Sequence, residues 1–204
     1  MNRDLLRLLL LADPGDPEYS LDRVEAAVRG GVTLVQLRAK TLSDREAVRE
    51  ARALLERMRS HGIPVLINDR PDIARAVGAD GAHVGPEDLP PGAARSVLGP
   101  GVLGVSARTP DRVAAATAAG ADYLGTGALR ATSTKTRATV IGMAGIERIL
   151  GGAALPVVAV GGVTPPDLPG LRAIGAAGAA VASGILGRPD PGAAARSYRE
   201  AWGA

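Results

Sequence analysis

The sequence predicts a (β/α)8 TIM barrel of the α/β class, and three observations predict it. Short apolar runs recur eight times at near-regular intervals. Helix-type segments with capping signals lie between them. No G-x-G-x-x-G follows an early strand, as an open dinucleotide-binding sheet would require. The apolar runs are Leu6–Ala12, Thr33–Leu37, Pro64–Asn68, Gly81–Val84, Val102–Ser106, Asp122–Gly125, Val157–Val160 and Ala179–Ala182. None alternates cleanly between apolar and polar, which is the pattern of parallel strands buried on both faces. Eight units in 204 residues leave about 25 residues each, near the short end for such a barrel. No linker or shift in composition divides the chain, so residues 1–204 read as one catalytic barrel domain.

The intervening segments carry the matching signals. Ser20–Arg29 opens on a capping serine and sets Val24, Ala27 and Val28 on one stripe. Ser43–Ser60 begins with an S-x-x-E capping box and repeats Ala47, Ala51, Leu54, Leu55 and Met58. Thr109-Pro110 caps Asp111–Ala119, and Thr164-Pro165 opens a short helix through Arg172. Gly30, Gly78, Gly120 and Gly175 lie where helices should end.

Composition narrows the function. The net charge of +3 and pI near 9.8 favour anions. Arginines are scattered and aromatics are only 2%, too few to stack bases, so nucleic acid is not the expected partner. No stretch approaches the roughly 20 apolar residues of a bilayer span, and the apolar start Leu5–Leu11 lacks a cleavage pattern. Cysteine is absent, which removes disulfides and thiolate chemistry and fits a cytoplasmic setting. Oligomeric state is not legible; a homodimer is one option.

In such barrels chemistry gathers at the C-terminal ends of the strands. After strand 2, alternation puts Gln36, Arg38 and Lys40 on one side, either as a polyphosphate clamp or as a polar layer inside the barrel. After strand 3 come Asn68 and Asp69; Asp69 suits Mg²⁺ or a hydroxyl, or a cap for a helix at Pro71. After strand 4, Asp88 is a second carboxylate beside Asp69, or a cap for a Pro90-Pro91 helix. His83 reads as a packed, hydrogen-bonded histidine, and His61 as a partner for a helix C-terminus. Ser106 offers one hydroxyl with neither the G-x-S-x-G elbow nor an expected histidine partner, which excludes a serine hydrolase. After strand 6, Thr132-Ser133-Thr134-Lys135 can wrap an anion, or is a solvated polar loop. After strands 7 and 8, Gly161-Gly162 and Ala182-Ser183 stand where backbone N–H groups cradle a phosphate in many barrels, and tight-turn geometry also explains the glycines. Two anion pockets follow, one for a phosphomonoester and a larger one with Mg²⁺.

These residues, in this order, resemble the thiamine phosphate synthase (thiamine phosphate pyrophosphorylase) family over nearly the whole chain. The resemblance rests on Gln36-Leu37-Arg38-Ala39-Lys40, Asn68-Asp69, Ala79 to Gly85 followed by Asp88, Gly104-Val105-Ser106, Gly120 to Tyr123, Thr132 to Lys135, Pro156 to Gly162 and Val181-Ala182-Ser183. It implies that hydroxymethylpyrimidine diphosphate loses pyrophosphate to the ring nitrogen of a thiazole phosphate. By motif, Asp69 and Asp88 hold Mg²⁺. The segment from Gln36 through Leu37, Arg38 and Ala39 to Lys40, with Asn68, Ser106 and Lys135, holds the diphosphate substrate. Arg38, Lys40, Ser106 and Lys135 act at the reacting centre. Thr132, Ser133, Thr134, Gly162, Ala182 and Ser183 hold the thiazole phosphate. The chain departs from the family pattern at Ala39, Pro86, Ala128 and Arg130, within Leu8–Leu11, and in lacking phenylalanine; by the resemblance, these changes bear on the pyrimidine-facing contacts more than on the metal and phosphate contacts. Competing readings are a thiazole tautomerase, which would want a histidine after strand 6, a non-catalytic phosphate-ligand-binding barrel, and a sugar-phosphate isomerase, which would want a carboxylate base.

Overall fold

The computed structural model describes residues 2–131 and 139–203, so the Thr132–Lys135 segment lies outside the described residues. The strands are β1 (Leu8–Ala12), β2 (Leu34–Leu37), β3 (Val65–Asn68), β4 (Gly81–Val84), β5 (Val102–Ser106), β6 (Tyr123–Gly127), β7 (Val157–Val160) and β8 (Gly178–Val181). Each pairs in parallel with the next, and β1 pairs with β8, which closes the barrel. Around it run α1 (Leu21–Gly30), α2 (Asp44–Arg59), α3 (Pro71–Val77), α4 (Pro91–Leu98), α5 (Pro110–Ala118), α6 (Gly142–Gly152), α7 (Leu168–Ala173) and α8 (Pro191–Trp202). Among the described residues, no helix is long and apolar enough to cross a membrane.

The closed sheet explains why the strands lack a wet face. Val35, Leu37, Val65, Ile67, Leu103 and Val105 point outward into a shell shared with the helices. Leu9, Leu34, Leu66, Tyr123, Val158 and Ala180 point inward and fill the axis. Both faces are apolar for most of the strand length, and polar side chains enter the inner face only toward the C-terminal ends. Leu6 also belongs to the inner core. It sits in a 3-10 turn, Arg3–Leu6, so β1 begins two residues later than the apolar run suggests.

The capping signals are realised. Ser43 and Glu46 form the reciprocal box at α2, which buries Ala47, Ala51, Leu54, Leu55 and Met58 as expected. Thr109 caps α5, with Pro110 as its first residue. The segment after Thr164 is split, with a 3-10 turn at Pro165–Asp167 preceding α7. Gly30 is the last residue of α1 rather than its stop. A side chain there would meet Ala195 Cβ at 2.8 Å, so this glycine permits close packing of α1 on α8. His61 stands two residues beyond the end of α2, and its Nε2 lies 3.0 Å from Glu25 Oε1 on α1.

Leu54 is fully buried between α2 and the sheet. Leu54→Ala is expected to lower the unfolding free energy by about 2–5 kcal/mol in urea titration. A loss under about 1 kcal/mol would contradict a close-packed helical shell.

Candidate active site

Inward-facing residues at the C-terminal ends of the strands meet in one cavity. From β2 and β3, Gln36 Nε2 donates to Asn68 Oδ1 at 2.6 Å, so two amides that alternation sends to the axis hold each other in place. Just beyond β2, Arg38 pairs with Asp13, whose other carboxylate oxygen accepts the Gly15 N–H at 2.9 Å. Lys40 Nζ lies 2.7 Å from Asp69 Oδ2. Arg38 and Lys40 are therefore both already aimed by a carboxylate.

Asp69 and Asp88 converge, and neither caps a helix. The residue preceding α3 is Arg70 and the one preceding α4 is Pro90, both without side-chain caps. Asp69 instead adopts φ 66°, a conformation rare outside glycine, while its N–H donates to the His83 carbonyl at 2.7 Å. Asp88 accepts the Gly85 N–H at 2.6 Å, closing its own loop against Asp69. Burial raises the Asp88 pKa, and the Asp69 carboxylate bonded to it raises it further, against the Gly85 N–H and Lys40. Two carboxylates held this close repel, and hard oxygen donors in such a pair suit a divalent cation. Among the described residues no group of three or more histidines, cysteines or acids gathers, so a metal here would complete its shell with substrate oxygens and water.

The cavity floor holds a polar chain. The Tyr123 hydroxyl lies 3.0 Å from His83 Nδ1, and His83 Nε2 lies 2.9 Å from Ser106 Oγ. Gly104 lies between them in register, where an added Cβ would come 2.5 Å from Tyr123 Cε1. His83 is packed and bonded as the sequence suggests, but it also lines the cavity and gives Ser106 the histidine partner that the sequence did not lead one to expect.

On the opposite side, the loops after β7 and β8 form a neutral cradle. Gly161 and Gly162 have φ of 86° and 67°, open only to residues without a Cβ penalty. A side chain on Gly162 would also meet Arg130 Cβ at 2.9 Å. The β7 loop is fastened from behind. Its carbonyls at Val160 and Gly161 accept the N–H groups of Leu129 and Arg130, both at 3.0 Å, and the Val163 carbonyl accepts the Tyr198 hydroxyl at 2.9 Å. Arg130 grips Asp167 with both guanidinium nitrogens, at 2.5 and 2.6 Å, and Asp167 accepts from the Thr164 N–H and hydroxyl at 2.8 and 2.7 Å. After β8, Ala182–Ile185 form the expected turn, and Arg23 donates to the Leu186 and Arg188 carbonyls at 2.6 Å each.

The structure thus brings Gln36, Arg38, Lys40, Asn68, Asp69, Asp88, Ser106, Gly162, Ala182 and Ser183 to one mouth. Leu37 and Ala39 face the other way, into a separate crevice beside α2 with Ile67 and Ile73. Thr132, Ser133, Thr134 and Lys135 lie outside the described residues. The sequence did not single out Asp13 and Arg108, and it marked Leu9 and Leu11 only as part of a stretch that departs from the family pattern. The signal was present for the first two: each stands one or two residues past a strand end, where the same strand-end rule applies.

A sequence model for thiamine monophosphate synthase matches residues 8–185. The chain belongs to that family. It is 44% identical to the thiamine-phosphate synthase of Moorella thermoacetica over 96% of this chain and 94% of that one. It is 44% identical to the thiamine-phosphate synthase of Azorhizobium caulinodans over 88% and 85% of the two chains. The solved thiamine phosphate pyrophosphorylase of Pyrococcus furiosus superposes with a TM-score of 0.88 at 31% identity, covering 98% of this chain and 96% of that one. A 3-hexulose-6-phosphate synthase shares the fold at a TM-score of 0.75 and 21% identity. Family membership makes this chain a transferase of thiamine biosynthesis.

The Arg130 guanidinium, and after it the Thr164 hydroxyl and N–H, lower the Asp167 pKa to about 2 against the effect of burial. A depressed carboxylate stabilises the fold above its unfolded pKa, and that contribution is lost as pH falls toward 2. Asp167→Ala is expected to cost about 1–2 kcal/mol at pH 7, through loss of the Arg130 pair and of the Thr164 cap. The gap to the parent protein should narrow between pH 4 and pH 2.5 in denaturant melts; a constant gap would remove the ionised pair as its source.

Proposed function

We propose that this protein joins hydroxymethylpyrimidine diphosphate to a thiazole phosphate, giving thiamine phosphate and pyrophosphate, with Mg²⁺ as cofactor. One observation carries the reading: a mouth whose two halves suit two different anions. The half built from β2, β3 and β4 holds paired carboxylates and aimed cations, and the half after β7 and β8 offers backbone N–H groups without side-chain charge. A diphosphate needs the first, and a monophosphate is served by the second.

The step breaks the bond between the pyrimidine methylene and the diphosphate oxygen, and forms a bond from the methylene carbon to the thiazole nitrogen. The electron pair leaves with pyrophosphate. The protein's task is to stabilise charge developing on that oxygen and to hold the nucleophile in line. Arg38 and Lys40, with Lys135 from the segment after β6, bind the diphosphate. Asp13 and Asp69 fix the two cations before substrate arrives, which limits reorganisation during the step. Gln36, Asn68 and Ser106 orient the pyrimidine. Gly162, Ala182 and Ser183, with Thr132, Ser133 and Thr134, hold the thiazole phosphate. Asp69 and Asp88 would hold Mg²⁺, which supplies neutralisation of the leaving group's charge. No protein nucleophile or strong base is required, consistent with a chain that has no cysteine and two histidines.

Incubation with both phosphorylated heterocycles should release pyrophosphate and thiamine phosphate only when Mg²⁺ is present, with chelator abolishing turnover and added Mg²⁺ restoring it. Asp69→Ala or Asp88→Ala is expected to lower kcat by about 100-fold or more. Full activity in either variant removes the metal assignment. Lys40→Ala should raise the KM for the diphosphate substrate about tenfold and leave the KM for the monophosphate unchanged; equal effects on both would contradict the division of the mouth.

A further inference from the structure

We propose that Tyr123, acting through His83, fixes the direction of the hydrogen bond that Ser106 offers to the cavity, so that Ser106 donates its proton to an acceptor atom of the bound heterocycle. The argument rests on the orientation of three groups and not on their titration. Tyr123 is 1% exposed and sits inside the barrel axis with Leu9, Leu66 and Val158. Among the described residues its hydroxyl has one hydrogen-bond partner, His83 Nδ1, at 3.0 Å. A phenol carries a single proton, and a buried O–H left without an acceptor is costly. The Tyr123 hydroxyl therefore donates, and His83 Nδ1 accepts.

The rest follows by conservation of protons along the chain. A neutral imidazole with a bare Nδ1 carries its hydrogen on Nε2. That N–H points at Ser106 Oγ, 2.9 Å away, and donates to it. Ser106 then accepts on the protein side, and its own hydroxyl proton is left for the cavity it lines. The reversed chain, in which Ser106 donates to His83 and His83 donates to Tyr123, strands the tyrosine proton in the barrel core. A doubly protonated ring strands it equally. Gly104 is the structural condition for the arrangement, because a side chain there would occupy the space where His83 and Tyr123 meet.

Within the synthase reading, this makes Tyr123 a positioning residue and gives the Ser106 subsite a preference: an unprotonated ring nitrogen fits it, and an N–H donor does not. The charged half and the neutral half of the mouth cannot supply this discrimination, since both address phosphate oxygens.

The test is nuclear magnetic resonance of the full-length protein with ¹⁵N-labelled histidine, using His61→Asn to assign the two rings. The expected result is a single His83 tautomer with hydrogen on Nε2 and a bare Nδ1, recorded without substrate. Tyr123→Phe should abolish that single tautomer. It should also weaken binding of the phosphate-free pyrimidine alcohol about tenfold, while the affinity for pyrophosphate alone stays unchanged. Hydrogen on Nδ1 in the parent protein, or an unchanged tautomer in Tyr123→Phe, overturns the proposal. Equal loss of pyrimidine and pyrophosphate binding would assign Ser106 to the phosphate oxygens instead and overturn the stated preference. Because the tautomer is read in the substrate-free protein, it stands or falls separately from the synthase activity, which the coupled-product assay decides.

Discussion

Closure of eight short parallel strands imposes an alternation that every later feature obeys. Each second side chain must face the axis, and the axis has room for few of them. Leu34 and Leu66 fill it, so Gln36 and Asn68, two residues further on, must face the same way and emerge above the packed layer. His83 and Ser106 arrive by the same rule. The site is the upper continuation of the core, made polar where the barrel opens. Its members are rigid because the residues below them cannot move.

That rigidity allows the mouth to hold unfavourable arrangements. Asp69 occupies a left-handed backbone conformation and faces a second carboxylate whose proton affinity is raised by burial and by Asp69 itself. Neither feature helps the fold. Both are held by backbone hydrogen bonds, from the Asp69 N–H to β4 and from the Gly85 N–H to Asp88. Strain and like-charge repulsion at one spot are what an enzyme tolerates where a ligand will relieve them.

The loops after β7 and β8 follow a different logic. They present backbone and no charge, so their usefulness depends on being fixed from behind. Arg130 clamps Asp167 under the β7 loop. Arg23 from α1 does comparable service under the β8 turn. In this chain, guanidinium groups behind the loops hold them in place, which gives Arg130 a structural role in the β7 loop.

The sequence by itself determined the barrel, its strand order, the capping of α2 and α5, and which strand ends carry polar groups. It could do so because hydrophobic periodicity, capping and turn chemistry act over a few neighbouring residues. It left open whether Asp69 and Asp88 cap helices or face each other, whether Arg38 is free or paired with Asp13, and whether His83 merely packs or joins the site. Alternation already set Leu37 and Ala39 on the side away from Arg38 and Lys40, but the motif as a whole assigned all five residues to one substrate, and the structure places these two in a different crevice. Only the tertiary structure decided these points. Each depends on how loops from neighbouring strands lie beside one another, which is a property of the closed ring and not of any segment read alone.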